Sequence, residues 1–366
     1  MLLVLFGIGL LCVLVLFIYR DRQFINNLSN KAILITGCDH GFGRLIALKL
    51  LKNQIHVFSA CLTEKGKESL DFEAKGYGGI LESFCMDVTS DESVQSGLNF
   101  VKKRLEDCGK QGLWALLNNA GVMGICFSDD FLTVADYERP LAVNALGMIR
   151  VCHAFKPLVK RTKGRIVNMA SISGRTPGPY ACPYFLSKHA VEAYCDALRL
   201  ELKPFHVSVH TVEPQGFKTP MTNLQSLLDG MDFAWRQTGE ETRNEYGPEY
   251  LDGFKAAYSY GLAMNSTENT NPVINAYFHA LTAKYPRTRY WPGFMTVLFF
   301  IPCSYLPTAI QDWIYLFILH KFIKVPKLKP VERFVGSHSA GDANVATGVV
   351  GSISGKMMNL NRRACG

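Results

Sequence analysis

Tyr184 and Lys188 stand four residues apart in Tyr184-Phe185-Leu186-Ser187-Lys188. On a helix, positions i and i+4 share a face, so the two side chains can address one ligand. A free phenol has a pKa of about 10, and an ammonium nearby favours the phenolate and lowers that value. Such a phenol can exchange a proton with an alcohol near neutral pH. Ser171 lies thirteen residues before Tyr184 and offers a hydroxyl to hold the substrate oxygen; Ser173 is the rival serine. Asn144 is a polar residue in an apolar helical stretch, costly unless paired. It reads as a satisfied core amide or as the holder of a water in a proton relay. His189 points off the shared Tyr184/Lys188 face and reads as structural.

A second chemistry is legible in Thr36-Gly37-Cys38-Asp39-His40-Gly41-Phe42-Gly43. A dinucleotide pyrophosphate needs backbone N–H groups at a helix N-terminus and no side chains in the way. Gly37, Gly41 and Gly43 supply that, although a tight strand-to-helix turn would use the same glycines. At the end of the next strand such sites often place an acid on the ribose 2′-hydroxyl, or an Arg near a 2′-phosphate. Neither stands at the tip of Ala60-Cys61-Leu62-Thr63, and Glu64 and Lys65 come late with opposite signs. Asp87 reads equally as an adenine contact and as a helix cap. Asn118-Asn119-Ala120-Gly121, small residues with side-chain amides at a strand end, would floor the same site.

These residues need a scaffold that brings several strand ends to one edge. Apolar runs at 31–36, 55–61, 82–86, 113–117, 165–169 and 207–212 read as strands. Helical segments fall at 42–52, 91–106, 134–161 and 184–203. The alternation predicts an α/β fold: a doubly wound parallel sheet covered on both faces, in a single domain over 30–290.

The chain has 366 residues, 48% of them hydrophobic, and a formal net charge of +8. That excludes a disordered chain or a disulfide-stapled miniprotein. Eleven cysteines occur singly with no C-x-x-C pair, which argues for reduced core thiols and against a structural metal site. Residues 2–19 carry no charge and would make roughly 27 Å of helix, close to a bilayer core. They read as an uncleaved transmembrane anchor within 1–22. Arg20, Arg22 and Lys31 follow it and place the body in the cytosol. Residues 294–322 form a second apolar stretch, broken by Pro302, Pro307, Gln311 and Asp312, and suit a membrane-associated hairpin or interfacial helix within 291–330. The basic run 321–333, net +4, would sit on anionic head groups. Residues 331–366 read as a disordered tail. Because the densest basic run abuts this segment, no nucleic-acid partner is expected.

Taken together, Thr36-Gly37-x-x-x-Gly41-x-Gly43, Asp87, Asn118-Asn119-Ala120-Gly121, Asn144, Ser171, Tyr184 and Lys188 resemble the short-chain dehydrogenase/reductase family in order and spacing. ITGCDHGFG, ACLTEKG, GLWALLNNAGV, PRTRYWPG and SYLP look like its membrane-bound retinol and hydroxysteroid dehydrogenase branch; NPVINAYFHALTA is also similar to 3-hydroxybutyrate dehydrogenase. The resemblance implies a Rossmann-type fold and a catalytic set of Asn144, Ser171, Tyr184 and Lys188. It implies a cofactor set of Gly37, Asp39, Gly41, Phe42, Gly43, Asp87, Asn118, Ala120, Gly121, Tyr184, Lys188 and Thr219, with NAD favoured and NADP not excluded. Ser171 would orient the substrate, Tyr184 act as acid/base, Lys188 bind the nicotinamide ribose, and Asn144 hold a relay water. No metal is implied.

The family usually carries Pro-Gly after the sixth strand. Here Pro214 is followed by Gln215, and Gly216 comes one residue later. Residues 220–262 correspond to the family's variable lid. Met221, Leu224, Leu227, Leu228, Met231, Phe233 and Trp235 make it apolar, with Met123, Ile125 and Phe127 as a facing wall. The expected substrate is a lipophilic alcohol or carbonyl, a retinoid or steroid, taken from a membrane such as the endoplasmic reticulum. A homodimer through 134–161 and 184–203 is implied by analogy. A hydroxybutyrate-type enzyme and a non-catalytic dinucleotide-binding scaffold are the alternatives.

Overall fold

Every residue of Ala32–Thr36, His56–Cys61, Ala115–Asn118 and Arg165–Met169 is buried in the computed structural model, as strands covered on both faces require. The structure describes residues 2–176 and 178–326; in the first helix, side chains are described for Phe6, 11–13, 15–16 and 18–21. The strands, in chain order, are β1 (Ala32–Thr36), β2 (His56–Cys61), β3 (Leu81–Cys85), β4 (Ala115–Asn118), β5 (Arg165–Met169), β6 (Ser208–Val212) and β7 (Arg289–Tyr290). They form one sheet in the order β3-β2-β1-β4-β5-β6-β7, and every pairing is parallel. The chain reverses its direction of travel between β1 and β4, and in such sheets ligands bind at the C-terminal strand ends beside that point.

The helices, in chain order, are α1 (Leu2–Asp21), α2 (Gly41–Lys52), α3 (Glu64–Glu73), α4 (Asp91–Asp107), α5 (Val134–Leu141), α6 (Met148–Arg161), α7 (Cys182–Leu202), α8 (Leu224–Gln237), α9 (Glu240–Tyr246), α10 (Tyr250–Asn265), α11 (Asn271–Thr282), α12 (Ile301–Ser304) and α13 (Thr308–Ile318). Successive side chains of β1 face opposite sides. Ala32 and Leu34 pack with Val94, Leu98, Val151, Phe155, Val191 and Cys195 of α4, α6 and α7. Ile33 and Ile35 pack with Ile46, Leu50, Val273 and Tyr277 of α2 and α11. The parallel α/β sheet is therefore as expected, with α3, the helices α8 to α11 and β7 as additions. α3 is surface helix with Leu70 as its one buried residue, and β7 is only two residues long.

The expected continuous helix over 134–161 is instead interrupted. Residues Ala142–Gly147 take wider π winding between α5 and α6. Asn144 is wholly buried there, and a Cβ on Gly147 would lie 2.8 Å from Val88 Cγ2. The local widening thus seats a polar amide and a close approach within one turn, and π turns of this kind mark functional positions.

A third core forms under the lid. Phe127, Phe131, Leu227, Met231, Tyr250 and Phe254 pack together, and Val325 closes it from the C-terminal segment. That segment folds as two helical pieces. Phe294 leads into π winding at Thr296–Phe300 and α12; the chain turns at Tyr305–Pro307; α13 follows and runs into π winding at Leu319–Ile323. Phe294, Leu298, Trp313 and Leu316 on it are exposed. Among the described residues no helix is long and apolar enough to cross a membrane. Most of the expected basic run and the whole of the expected tail at 331–366 lie outside the described residues.

The chain between α1 and β1 is strapped to the sheet edge. Ile25 N donates to Thr282 O at 2.9 Å, Lys284 N to Gln23 O at 2.8 Å, and the Asp21 carboxylate receives Arg287 Nε at 2.8 Å. Phe24 bridges Ala283 in antiparallel fashion.

His56 is the weak point of the β2 core. It is buried against the Phe58 ring at 4.6 Å, and neither ring nitrogen has a partner among the described residues. Burial, then the charge of Lys110, brings its pKa down from 6.5 to about 4. Protons therefore bind the unfolded chain more tightly. Stability from the neutral imidazole is complete above pH 6.5 and is lost as pH falls from there toward 4. His56→Leu should flatten this part of the acid limb when urea midpoints are compared at neutral pH and across that window. An unchanged limb would contradict the assignment.

Candidate functional site

β1 ends in the glycine turn, and the turn is built without side chains for steric reasons. Gly37 and Gly41 stand at φ +71° and +64°, where residues with a Cβ are strained. A Cβ on Gly37 would lie 2.8 Å from Ala120 Cα, and one on Gly43 would lie 2.3 Å from Gly37 O. Above Gly41 nothing lies within 4 Å of a built Cβ. The turn thus presents open backbone at the N-terminus of α2, the form that receives a pyrophosphate. Phe42 leans edge-on against Phe217 at 5.8 Å and ties the turn to the loop after β6.

The floor of the turn is fastened to β4. Thr36 Oγ1 accepts from Asn119 N at 3.0 Å and from Ala120 N at 3.1 Å. Asn119 Nδ2 donates to Thr36 O and Gly37 O at 3.0 and 3.1 Å, and its Oδ1 accepts from Tyr277 at 3.0 Å. Asn118 turns the other way. Its Nδ2 donates to Asn168 Oδ1 at 2.8 Å and to Cys152 Sγ at 3.1 Å inside the core. Of the two asparagines, the side chain at the turn is therefore Asn119, not Asn118. Ala120 and Gly121 follow at the floor, Gly121 lying where a Cβ would meet Asn144 Oδ1 at 3.1 Å.

An acid does stand at the tip of β2, but it comes from the glycine turn. Asp39 Oδ2 accepts from Leu62 N at 2.7 Å, and its Oδ1 accepts from Thr63 N at 2.9 Å and Thr63 Oγ1 at 2.7 Å. Gly66 leaves room for it, since a Cβ there would fall 2.4 Å from Asp39 Oδ1. Ala60–Thr63 carry no acid of their own, and a side chain from 23 residues upstream supplies it. Asp87, after β3, accepts from Thr89 N and Oγ1 at 2.8 and 2.7 Å. Ser90, not Asp87, caps α4, accepting from Ser93 N at 3.1 Å.

The proton-transfer residues meet at the C-terminal end of β5 and the start of α7. Ser171 is buried with its Oγ accepting from Ser173 N at 3.1 Å, and it lies near enough to the Tyr184 phenol to favour the phenolate. Ser173, the rival, serves Ser171 through its backbone. Lys188 lies one turn on, its Nζ 5.6 Å from the centre of the Tyr184 ring and donating to Met169 O at 3.0 Å. The expectation that Lys188 would pull the phenol down does not hold for the protein by itself. Burial pushes Tyr184 up to about 12, and the opposing influence is the Ser171 hydrogen bond. Burial likewise lowers Lys188 to about 8, against the pull of Glu192.

Asn144 makes three hydrogen bonds with its side chain. Its Oδ1 accepts from Val122 N at 2.8 Å, and its Nδ2 donates to Val122 O and Ser187 Oγ, both at 2.9 Å. It thereby locks the irregular segment after β4 onto α7. His189 is structural as expected, its Nδ1 paired with Phe185 O at 2.9 Å.

The loop after β6, residues 213–219, closes the site from above. Thr219 N donates to Thr222 Oγ1 at 3.0 Å at the start of a short 3₁₀ turn. Lys218 N donates to Thr267 O at 2.9 Å, so the loop is also paired to the chain beyond the lid helix α10. Gln215 stands among residues of the C-terminal segment. Near the head of α7 a cavity of about 550 Å³ is lined by Phe127, Tyr180, Cys182, Tyr246, Tyr250 and Pro326 among others. The expected wall residues Met123, Ile125 and Phe127 and the lid residues Leu227, Leu228, Met231 and Trp235 all belong to the core beside it.

Residues 31–227 match the family profile described as short chain dehydrogenase. The 3beta-hydroxysteroid dehydrogenase dhs-16 of Caenorhabditis elegans is 44% identical over 327 residues, 88% of this chain and 84% of that protein. The 17-beta-hydroxysteroid dehydrogenase type 6 of Homo sapiens is 41% identical over 296 residues, 81% of this chain and 91% of its own length. Retinol dehydrogenase 7 of Rattus norvegicus is 40% identical over 295 residues, 81% and 90% respectively. Among solved structures, a short-chain dehydrogenase from Streptomyces avermitilis superposes with a TM-score of 0.59 at 22% identity. That superposition covers 79% of this chain and 95% of the other, a likeness of fold. By its sequence and its sheet, this chain belongs to the short-chain dehydrogenase family.

Proposed function

We propose that the protein is a membrane-anchored, NAD-dependent dehydrogenase of lipophilic alcohols, a retinol or a hydroxysteroid. The observation that carries the chemistry is the gathering of Ser171 at the end of β5, Tyr184 at the head of α7 and the Lys188 ammonium one helical turn away. Relatives named for retinol and hydroxysteroid substrates support the substrate class, and so does the aromatic wall of Phe127, Tyr180 and Tyr250.

The residues fit a nicotinamide dinucleotide. The open backbone at Gly37, Gly41 and Gly43 would receive the pyrophosphate, Asp39 the adenosine ribose, Lys188 the nicotinamide ribose and Thr219 the carboxamide. The bound nicotinamide would supply the hydride acceptor or donor. Ser171 holds the substrate oxygen beside the phenol, and Tyr184 takes or returns its proton. With its pKa near 12 the phenol keeps its proton, which suits donation to a carbonyl. Removal of a proton from an alcohol needs added positive charge beside Tyr184, which favours the phenolate. Lys188 is the chain's own source of that charge. Asn144, with its side chain committed to Val122 and Ser187, acts by holding the helix that carries Tyr184.

Asp39 supports NAD over NADP. A carboxylate at the β2 tip accepts from a ribose hydroxyl and repels a phosphate in the same place.

On this reading residues 1–22 are the anchor, 30–290 the catalytic domain and 291–330 a membrane-associated hairpin, in the endoplasmic reticulum membrane with the domain on the cytosolic side. The uncharged run 2–19, followed by Arg20 and Arg22, supports the anchor. Exposed Phe294, Leu298, Trp313 and Leu316 support lipid contact by the hairpin. Val134, Leu146, Leu186 and Leu200, exposed on the helical stretches 134–161 and 182–202, support a homodimer through those faces.

A panel of retinol, estradiol, androstanediol and 3-hydroxybutyrate, each with NAD and NADP, tests the substrate class. Turnover of hydroxybutyrate alone, or of nothing on the panel, would refute it. Tyr184→Phe should cut turnover by at least about a hundredfold while NADH binding stays within about twofold. Full turnover in that variant would remove Tyr184 from the mechanism. Asp39→Asn should narrow the preference for NAD over NADP by at least about fivefold, since a like-charge contact of about 1 to 4 kcal/mol is relieved. An unchanged ratio of kcat/KM values would show that Asp39 does not choose the cofactor.

A further inference from the structure

Gln215 occupies the position where the family usually has glycine, and the structure gives its side chain partners. Its Oε1 accepts from Met295 N at 2.9 Å and from Thr296 N at 3.3 Å. These are first-turn amides of the helical stretch 294–304, groups with no acceptor in their own helix. The Gln215 backbone N–H donates to Pro292 O at 3.4 Å. Gly293 stands at φ +121°, and a Cβ on it would lie 2.3 Å from Gln215 Oε1. The turn before the hairpin is thus shaped around this carboxamide. A glycine at 215 would leave both amides without it.

The other side of residue 215 leads to the reacting groups. Pro214 O accepts from Ile172 N at 3.1 Å and, over a long 3.5 Å, from Ser171 Oγ. Ser171 is the neighbour that favours the Tyr184 phenolate. A continuous series of contacts therefore runs from the first turn of the hairpin, through Gln215 and Pro214, to the Ser171 hydroxyl. Glu213, wholly buried, fastens the loop a second time. Its carboxylate binds Arg289 Nη1 at 2.5 Å and Trp291 Nε1 at 3.2 Å. Residues 213 and 215 are both held by 289–296, while Pro214 between them faces Ser171.

We propose that Gln215 is a positioning residue: by capping the first helix of the C-terminal hairpin it holds the Pro214 carbonyl against Ser171, and so sets the Ser171–Tyr184 pair. The inference rests on the dehydrogenase reading of those two hydroxyls. Gln215 touches no reacting atom itself. Through it the hairpin becomes part of the site, because any shift of Met295 and Thr296 is passed to the loop.

The test uses the full chain in phosphatidylcholine vesicles, with whichever panel alcohol it turns over, and compares Gln215→Met, Gln215→Glu and Tyr184→Phe. Gln215→Met keeps the length and volume but loses the acceptor oxygen. It should lower kcat roughly fivefold, the scale of one lost helix cap, with KM for the alcohol within about twofold. Gln215→Glu keeps an acceptor for both amides and should restore kcat to within about twofold of the parent. NADH binding by each variant verifies that it is folded. A parental kcat in Gln215→Met, or a Gln215→Glu as slow as Gln215→Met, overturns the proposal. If Tyr184→Phe is inactive and Gln215→Met is fully active, the positioning role alone fails. If Tyr184→Phe retains turnover, the dehydrogenase reading of Tyr184 fails first. Gly293→Ala crowds the carboxamide from the other side. It should slow the parent and add little to Gln215→Met, as coupled neighbours do; full additivity would also count against the proposal.

Discussion

Two side chains, Thr36 and Asn119, hold the ends of β1 and β4 together, and the rest of the site hangs on that clasp. Parallel strands pair through their backbones only as far as the sheet extends. Beyond it, the chains must part to make room for a ligand, and their N–H and C=O groups need new partners. The Thr36 hydroxyl accepts from two amides of the β4 end, and the Asn119 carboxamide donates to two carbonyls of the β1 end. Tyr277 from α11 fixes the carboxamide in turn. With the polar groups satisfied in this way, the glycine turn can stand open without collapsing onto β4. The positions of Gly37, Gly43 and Asp39 all follow from it.

The electrostatics of the second half of the site are organised around Arg289. It joins Glu192 and Asp196 of α7 to Glu213 of the loop after β6. Buried ions add little net stability when paired, yet an uncompensated one is costly, so such a cluster fixes geometry more than it stabilises. Burial raises Glu192 to about 7, with Glu213 reinforcing the rise and Arg289 opposing it. Glu192 is also the first influence resisting the fall of Lys188. The Lys188 ammonium is thus tied to a charge cluster one helical turn further along α7.

Much of this was legible in the sequence, for physical reasons that differ by element. Strands buried on both faces read as unbroken apolar runs, so β1, β2, β4, β5 and β6 could be placed within a residue or two. α3 escaped because one buried leucine in a charged decapeptide leaves no apolar stripe. β7 is two residues long and exists only by pairing with β6. The π turn at 142–147 was invisible because periodicity is blind to a local change of winding. Among the site residues, spacing along one helix gave Tyr184 and Lys188, and strand ends gave Ser171. Whether Asn118 or Asn119 faces the turn depends on strand register, and the reach of Asp39 to Leu62 and Thr63 depends on tertiary packing. Gln215 could be seen as a departure, but its partners lie some 80 residues away.

The strap between Asp21 and Gln23 on one side and His279 and Lys284 on the other has a temporal meaning. His279 Nε2 meets Asp21 O across 258 residues of chain. Synthesis at roughly 5–20 residues per second separates those partners by on the order of tens of seconds. The strap therefore cannot close until long after Asp21 has been made. Until residues 279–287 are made, the domain folds without the hydrogen bonds that latch Asp21 to it. Closure of the strap then marks completion, and a chain truncated before His279 would carry the helix with no latch to receive it.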